Sequence, residues 1–324
     1  MKKSIVIIGG GTGSFTLLSG LKKHNVNLTA LVSMADDGGS TGVLRDEYGV
    51  LPPGDVRQCL VALSSSQSLR DLFTYRFSDG TFNGHSFGNV FLSTAEKVTG
   101  NFESAVDLAA EVLNITGTVL PITTTNTKLA LTTQAGDMVV GEYKIAHSNM
   151  QDKPQLSLLP SALITDRAKH AIQHADLVVI APGSLYGSLA PALLVGGVGE
   201  ALRATSATIA YVCNLVTKPK QTDGFMVHDY VSEVERFIGY ECIDTVIYNT
   251  DEPPPSLIKK YTHDGEYIVD FDLDYMHGMH YSAIGAPLVA EEPVTAQSAG
   301  DEIAHARTLI RHNTDELARI LLTL

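Results

Sequence analysis

A short apolar run that breaks into glycines constrains this chain more than any other stretch of its sequence. Residues 5–8 are all apolar, and residues 9–13 are glycine except for Thr12. A continuous apolar run of this kind is typical of a strand buried on both faces of a parallel sheet. Residues 14–24 then predict a helix with one apolar face, and residues 28–34 predict a second strand. This order predicts the start of a nucleotide-binding α/β domain.

The same alternation of strands and helices resumes later in the chain. Three apolar runs that each end in a polar loop predict buried strands at residues 177–180, 208–212 and 245–248. Helices are predicted around them at residues 166–174, 190–204, 229–238 and 256–261, and a longer amphipathic helix at residues 302–324. Because ligands bind at the carboxyl ends of strands in open parallel sheets, we expect these loops to share one crevice with the glycine loop.

The middle of the chain departs from this alternation. Helices are predicted at residues 55–63, 69–77, 86–99 and 103–113. Residues 115–121 and 128–145 are rich in Thr and Val and predict a short hairpin outside the main sheet. The predicted architecture is one domain over residues 1–324, a three-layer α/β/α, Rossmann-like parallel sheet with an insertion of helices and a β-hairpin at about residues 64–160.

Composition narrows the classes of function. Hydrophobic residues make up 44% of the chain, which is enough for a substantial core. The formal net charge of −13, with no block of Lys or Arg, argues against nucleic acid or an anionic membrane as the main partner. Three separated cysteines, no signal peptide and no apolar run near the ~20 residues of a membrane span predict a cytoplasmic protein.

The glycine loop predicts an anion site. Gly10, Gly11, Thr12 and Gly13 let the backbone approach a bound group and direct N–H donors at it. The dinucleotide fingerprint G-x-G-x-x-G is incomplete, because its last position is Ser14, and no Gly-Lys-Ser/Thr follows to make a P-loop. The alternative is a tight strand-to-helix turn without a ligand. Residues 182–186 lie between a predicted strand and a helix, and they predict a second loop of this type.

A pair of aspartates follows the second predicted strand. Asp36 and Asp37 open residues 36–54, a turn-rich stretch too long for an ordinary α/β loop. Adjacent carboxylates repel each other unless a cation, an arginine or N–H groups compensate. A Mg²⁺ ion held by one or two carboxylates and phosphate oxygens would do so. The alternative is a solvated turn. Asp55, after a stiff Pro-Pro-Gly turn, is expected to cap the next helix, to bind a ligand, or both.

Basic and polar side chains near these turns are further candidates. Arg45 and Arg57 could bind phosphate or carboxylate through the guanidinium fork, or could neutralise the aspartates. His85 and Asn89 lie just before a predicted helix, and His85 is a candidate acid/base or donor, although most lone histidines are neither. These residues alone predict a crevice for a phosphorylated ligand with a carboxylate cluster.

Several long blocks carry a family resemblance. The segments GGGTGSFTLLSGLK, ADDGGSTGVLRDEYGVLPPGDVRQCLVAL, FNGHSFGN, ADLVVIAPGSLYGSLAPALLV and YVCNLVTKPKQTDGF, with a late Arg311-His312-Asn313, resemble the bacterial gluconeogenesis-factor family (YvcK-like). That family is related to the 2-phospho-L-lactate transferases of deazaflavin-coenzyme synthesis (CofD-like). The resemblance implies a Rossmann-like fold and a cytoplasmic protein that binds UDP-sugars such as UDP-GlcNAc or UDP-glucose. It also implies a role in cell shape and wall synthesis on gluconeogenic carbon sources.

With the resemblance, a regulatory protein that binds a nucleotide sugar is the first hypothesis. The two glycine-type loops would hold the diphosphate, and Arg311 would supply positive charge to it. Asn214 would orient the sugar or the base. In this hypothesis no residue is catalytic. The expected ligand-binding residues are Gly10, Gly11, Thr12, Gly13, Asp36, Asp37, Ser40, Arg45, Asp55, Arg57, His85, Asn89, Gly183, Ser184, Tyr186, Asn214 and Arg311. A homo-oligomer is possible, and so is a protein partner such as a cell-wall enzyme or a kinase.

The second hypothesis is a metal-dependent transferase that uses a nucleoside-diphosphate-activated substrate. By resemblance, aspartates matching Asp36, Asp37 and Asp55 hold a divalent metal in the transferase relatives, so Asp37 and Asp55 are the expected metal ligands and catalytic residues, with Mg²⁺ as the ion. The bulky residues and the histidine that follow the pair in that branch are replaced here by residues 38–44, GGSTGVL. An NAD(P)-dependent oxidoreductase is a third hypothesis, disfavoured by the broken fingerprint and the doubled aspartate.

Overall fold

The computed structural model describes residues 2–150, 153–290 and 309–324 of the chain. The strands within these ranges are β1 (Lys3–Gly9), β2 (Val26–Val32), β3 (Thr118–Pro121), β4 (Lys128–Thr132), β5 (Met138–Val140), β6 (Gln155–Leu159), β7 (Leu177–Ile180), β8 (Thr208–Val212), β9 (Thr245–Asn249) and β10 (Ser282–Ala286).

The α-helices within the same ranges are α1 (Gly11–Leu21), α2 (Gly39–Tyr48), α3 (Gly54–Leu63), α4 (Gln67–Thr74), α5 (Phe87–Thr99), α6 (Phe102–Leu113), α7 (Glu142–Ile145), α8 (Asp166–Gln173), α9 (Ala190–Leu193), α10 (Val198–Ala204), α11 (Val227–Ile238), α12 (Pro255–His263), α13 (Leu273–His277) and α14 (Thr314–Leu321). A π-helical segment, Leu185–Leu189, leads into α9.

The main sheet reverses its strand order beside β1. Its order is β10-β9-β8-β7-β1-β2-β3, and each neighbouring pair is parallel. The chain therefore builds outward from β1 through β2 to β3, then returns to the other side of β1 and continues from β7 to β10. In such doubly wound sheets, ligands bind at the carboxyl ends of the strands where the order reverses. The predicted Rossmann-like α/β fold is confirmed.

Side chains alternate between two cores, one on each face of the sheet. On β1, Ile5 and Ile7 lie in the core formed with α1, α3, α6, α12 and α14. Val6 and Ile8 lie in the other core, with α8 to α11 and the small sheet of β4, β5 and β6. Every side chain of this run is therefore buried, which explains why the sequence is continuously apolar there.

The placement of the 115–121 segment outside the main sheet is wrong. β3 lies within it and pairs in parallel with β2, with Thr29 opposite Thr118. Val119 and Leu120 enter opposite cores, so β3 is a true sheet strand, but four residues are too few to show a period. The hairpin prediction is confirmed for β4 and β5, which pair antiparallel. β6 adds a third strand to this small sheet.

Three helix predictions also change. The turn-rich stretch 36–54 contains a helix, α2, whose C-cap residue, Gly49, has a left-handed φ of +63°. The predicted helix 190–204 is interrupted at Gly197, whose φ of +94° is left-handed, and so divides into α9 and α10. Of the predicted helix 302–324, the described part contains α14, which Asn313 caps. Residues 302–308 lie outside the described residues.

Gly13 is expected to be required for stability because α1 begins in contact with the loop after β7. A Cβ on Gly13 would overlap the carbonyl oxygen of Pro182. We expect Gly13→Ala to lower the free energy of unfolding by about 1–3 kcal/mol, as overpacking does. Gly183→Ala is the matched control, since its Cβ would lie 3.5 Å from the nearest atom, Ser188 Cβ. Equal urea midpoints for the two variants would contradict this account.

Candidate functional site

Three loops meet at the carboxyl ends of β1, β7 and β8. Gly9 approaches so closely that its Cβ would lie 3.0 Å from Ala181 Cβ, and Gly13 contacts Pro182. Asn214, just after β8, donates from Nδ2 to the carbonyl oxygen of Gly183 at 2.7 Å. These contacts place the glycine loop, the second glycine-type loop and Asn214 together at the point where the strand order reverses.

The glycine loop accommodates a side chain of the protein itself. Asp55, in the first turn of α3, lies so close to Gly10 that a Cβ there would overlap its Oδ2 atom. The same carboxyl accepts a hydrogen bond from the backbone N–H of Gly11. Pro53 occupies the N-cap position of α3 and Asp55 lies inside its first turn, with no side-chain cap hydrogen bond, so the predicted capping role of Asp55 is wrong. Asp55 is therefore one reason why residue 10 must be a glycine.

The two adjacent aspartates point to different partners. Asp36 Oδ1 accepts from the backbone N–H of Gly38 at 2.9 Å, and its Oδ2 would lie 3.1 Å from a Cβ on Gly54. Asp37 Oδ1 accepts from the backbone N–H of Tyr143 at 2.8 Å, which ties it to the first turn of α7. Only Asp36 therefore turns toward the start of α3, where Asp55 lies.

Glu142 is a site residue that sequence reasoning missed. It is half-buried at the start of α7, and its Oε1 atom fills the space where a Cβ on Gly187 would be. It interacts electrostatically with Asp36, Asp37 and Lys218. No local signal marks this glutamate in a Thr- and Val-rich stretch, because only the packing of the small sheet against the main domain brings it to the crevice.

Burial and mutual repulsion raise the pKa of the carboxyls in this cluster. Burial, followed by the charges of Asp36 and Glu142, raises the pKa of Asp55 to about 7, although Arg57 opposes this effect. Burial, followed by Asp36 and Asp37, raises the pKa of Glu142 to about 7, with Lys218 opposing. Burial also raises the pKa of Asp36. The cluster therefore favours taking up a proton or a cation near neutral pH.

The two candidate arginines are buried supports for the crevice. Arg45 donates from Nε to Asn126 Oδ1 at 2.8 Å and from Nη2 to the carbonyl oxygen of Thr127 at 2.6 Å. Arg57 is 7% exposed and donates to the carbonyl oxygen of Phe73. The contacts of Arg45 hold α2 against the segment before β4, and Arg57 also moderates the charge of Asp55.

Ser40, His85 and Asn89 form one hydrogen-bonded group. Ser40 Oγ lies 2.9 Å from His85 Nδ1, and Asn89 Nδ2 donates to the same Oγ at 3.2 Å. Asn89 is buried, and its Oδ1 atom lacks a hydrogen-bond partner among the residues that the structure describes. The group joins the first turn of α2 to that of α5, beside Asp36.

Tyr186 and Ser184, although close in sequence, have different environments. Tyr186 is fully buried, and its hydroxyl donates to Glu233 Oε2 at 3.3 Å in the core between the π-helical segment and α11. The expectation that it contacts a ligand is therefore not supported by its position. Ser184 Oγ accepts from the backbone N–H of Gly187 at 3.3 Å and stays half-exposed at the crevice.

The remaining candidates lie at the edges of the crevice. Thr12 is exposed in the first turn of α1, where its carbonyl oxygen accepts from Thr16 Oγ1. Arg311 is half-buried, and the next residue, His312, has its Nε2 atom 3.0 Å from the carbonyl oxygen of Cys213, the residue before Asn214. The backbone of Arg311 is thus placed near the carboxyl end of β8.

Comparison with known proteins identifies the family. The family model for 2-phospho-L-lactate transferase CofD matches residues 5–289. A relative from Clostridium acetobutylicum is 38% identical over 98% of this chain and 68% of its own. The gluconeogenesis factor of Bacillus subtilis is 36% identical over 100% of this chain and 98% of its own. A crystal structure of a Bacillus halodurans protein superposes with a TM-score of 0.90 at 34% identity, covering 99% of this chain and 100% of that one.

The chain belongs to the CofD family and to its gluconeogenesis-factor group. The resemblance stated from the motifs is confirmed. In this gluconeogenesis-factor homologue, no three His, Cys, Asp or Glu side chains of residues 2–150, 153–290 and 309–324 form a group that could hold a metal ion. Within the same part of the chain, no helix is long and apolar enough to cross a membrane.

The carboxylate cluster predicts how the stability of this family member depends on pH. The pKa of Asp55 is about 7 in the folded protein, whereas the ordinary value for an aspartate is 3.8. Between pH 3.8 and pH 7, the folded state therefore binds more protons than the unfolded state. The free energy of unfolding therefore falls as pH rises from about 4 to above 7. We expect Asp55→Asn, which keeps an acceptor for Gly11, to reduce this fall by about 1 kcal/mol, allowing for partial solvation.

Thermal or urea unfolding at pH 5 and pH 8 measures this effect. Asp46→Asn is the control, because Asp46 belongs to an exposed ion pair with Lys128 at 3.3 Å and lies outside the cluster. The free energy of unfolding of Asp46→Asn should fall with pH as much as that of the unmodified protein. If Asp55→Asn also shows the full fall between pH 5 and pH 8, repulsion in the cluster is contradicted.

Proposed function

We propose that this protein binds a nucleotide sugar of the UDP-GlcNAc or UDP-glucose type and acts in the cytoplasm as a regulatory gluconeogenesis factor. In this role it supports cell shape and wall synthesis on gluconeogenic carbon sources. The observation that carries the proposal is the meeting of three loops at the carboxyl ends of β1, β7 and β8, where doubly wound sheets bind nucleotides. Membership of the gluconeogenesis-factor group supports the cellular role.

The two sides of the crevice complement the two parts of a nucleotide sugar. Gly183, Ser184 and Asn214 offer backbone and side-chain donors, and Arg311 adds positive charge, so this side suits a diphosphate. The other side carries Asp36 and Asp55, and ionised carboxylates accept hydrogen bonds from sugar hydroxyls. A ligand with anionic and hydroxyl-rich ends meets both requirements.

Ligand binding tests the proposal directly. Thermal-shift and calorimetric titrations with UDP-GlcNAc, UDP-glucose, GDP and NAD, each with and without Mg²⁺, should rank the UDP-sugars first. We expect Arg311→Ala to weaken their binding about tenfold, because a charged contact to the diphosphate is lost. Tyr186→Phe is the control, since its hydroxyl contacts Glu233 in the core, and it should bind normally. Stronger binding of NAD than of any UDP-sugar would refute the proposal.

A metal-dependent transferase is the second candidate, favoured by the raised pKa of the carboxyl cluster and by the family model. The oxygen donors of Asp36 and Asp55 suit a hard cation such as Mg²⁺, which takes few protein ligands and completes its shell with phosphate and water. A bound Mg²⁺ would neutralise charge that develops on a departing diphosphate. Asp37, engaged with Tyr143, is less suited to this role than Asp36.

Metal dependence separates the two candidates. For a binding protein, we expect UDP-sugar affinity to be unchanged by EDTA and by Asp37→Asn, and no product to form on long incubation. A transferase would release nucleotide in a Mg²⁺-dependent reaction that Asp55→Asn abolishes. Chromatography of the nucleotides after incubation with each variant measures this, and Mg²⁺-dependent turnover would exclude a purely binding role.

A further inference from the structure

The last described part of the chain returns to the sheet next to the crevice. Residues 310–313, called the C-terminal strap here, run antiparallel to residues 288–290. Ala290 donates its backbone N–H to the carbonyl oxygen of Arg311 at 2.8 Å, and Asn313 donates to that of Leu288 at 2.7 Å. Leu288 in turn donates to Asn249 Oδ1 at 3.0 Å, at the end of β9. The strap is therefore anchored to the carboxyl edge of the main sheet.

The strap is also anchored to the helix that follows the glycine loop. Asn313 Oδ1 caps α14 by accepting from the backbone N–H groups of Asp315 and Glu316, each at 3.1 Å. α14 packs on α1 so closely that a Cβ on Gly20 would overlap the carbonyl oxygen of Thr314. The residues on either side of His312 are thus held by separate parts of the fold.

His312 links the strap to the crevice itself. Its Nε2 atom lies 3.0 Å from the carbonyl oxygen of Cys213, whose own N–H donates to Ile247 of β9 at 2.9 Å. Burial lowers the pKa of His312 to about 4, so the imidazole is neutral at neutral pH and donates through Nε2–H. Because Asn214 follows Cys213 and donates to Gly183, His312 connects the strap, the end of β8 and the second glycine-type loop.

We propose that His312 is a positioning residue that fixes Arg311 at the diphosphate end of the crevice through its hydrogen bond to Cys213. The proposal rests on the proposed function, in which Arg311 contacts the diphosphate. Arg311 is adjacent in sequence, so a shift of the His312 backbone also moves the guanidinium. A guanidinium on a fixed backbone samples fewer positions before binding, so ordering it against a diphosphate costs less entropy.

The test compares two substitutions at position 312. His312→Ala removes the donor and should weaken UDP-GlcNAc binding about five- to tenfold, because the strap keeps its bonds to residues 288 and 290 but loses its link to the end of β8, so that Arg311 is held less firmly beside the crevice. His312→Gln places an amide nitrogen close to the position of Nε2, and it should restore affinity to within about twofold. Uridine, which lacks the diphosphate, should bind all variants equally. His174→Ala, an exposed histidine after α8, is the control.

A double-mutant cycle with Arg311→Ala decides the mechanism. If His312 acts through Arg311, adding His312→Ala to Arg311→Ala should weaken UDP-GlcNAc binding no further. Additive losses, or equal losses for uridine, would overturn the proposal and leave nucleotide-sugar binding intact. If His312→Ala does not fold, His312→Leu, which keeps volume without a donor, replaces it in the cycle. A failed proposed function is recognised separately, because the unmodified protein would then not bind UDP-GlcNAc.

Discussion

The close approach of Asp55 to Gly10 is the contact on which the arrangement of the crevice depends. It brings the first turn of α3 against the end of β1 and directs the N–H of Gly11 to a carboxyl of the protein. A donor engaged in this way is not available to a ligand phosphate. In the proposed function, the donors to the diphosphate are therefore those of the loop after β7, of Asn214 and of Arg311 in the strap.

The carboxylate cluster is tolerated because its members are individually supported. Asp36, Asp37 and Asp55 each accept a backbone N–H, from Gly38, Tyr143 and Gly11 respectively. Glu142 instead faces Lys218, whose positive charge opposes the rise in its pKa. Like charges at this spacing are costly in a partly desolvated site, and a positive charge or a hydrogen-bond donor brought to the cluster would lower that cost. The hydroxyls of the proposed sugar and a cation would each do so.

Much of the fold, but less of the site, can be predicted from the sequence. The buried strands β1, β7, β8 and β9 contain continuous apolar runs followed by Gly, Pro or Asn, β2 is largely apolar and is followed by paired Asp residues, and such signals are local. The sequence places β3 outside the main sheet because four residues are too few to show a period, and it does not predict β10 because the segment SAIGA is only weakly apolar. The direction of a side chain depends on tertiary packing, which the local sequence does not show. For this reason the sequence predicts Tyr186 in the crevice, whereas the structure places it in the core. Glu142 could not be found because it reaches the site only through tertiary packing.

The contacts in the crevice also separate this protein from dinucleotide-dependent oxidoreductases. In those enzymes the glycine loop binds the pyrophosphate, and one carboxylate after the second strand binds ribose hydroxyls. Here Asp55 lies against the glycine loop, and Asp36, at the ribose-binding position, bonds back to Gly38 in its own turn. Both elements of the dinucleotide site are thus engaged by the protein's own groups. The incomplete fingerprint and these contacts together argue against a dinucleotide bound in that manner, and in the proposed function the diphosphate would instead meet Gly183, Ser184 and Asn214.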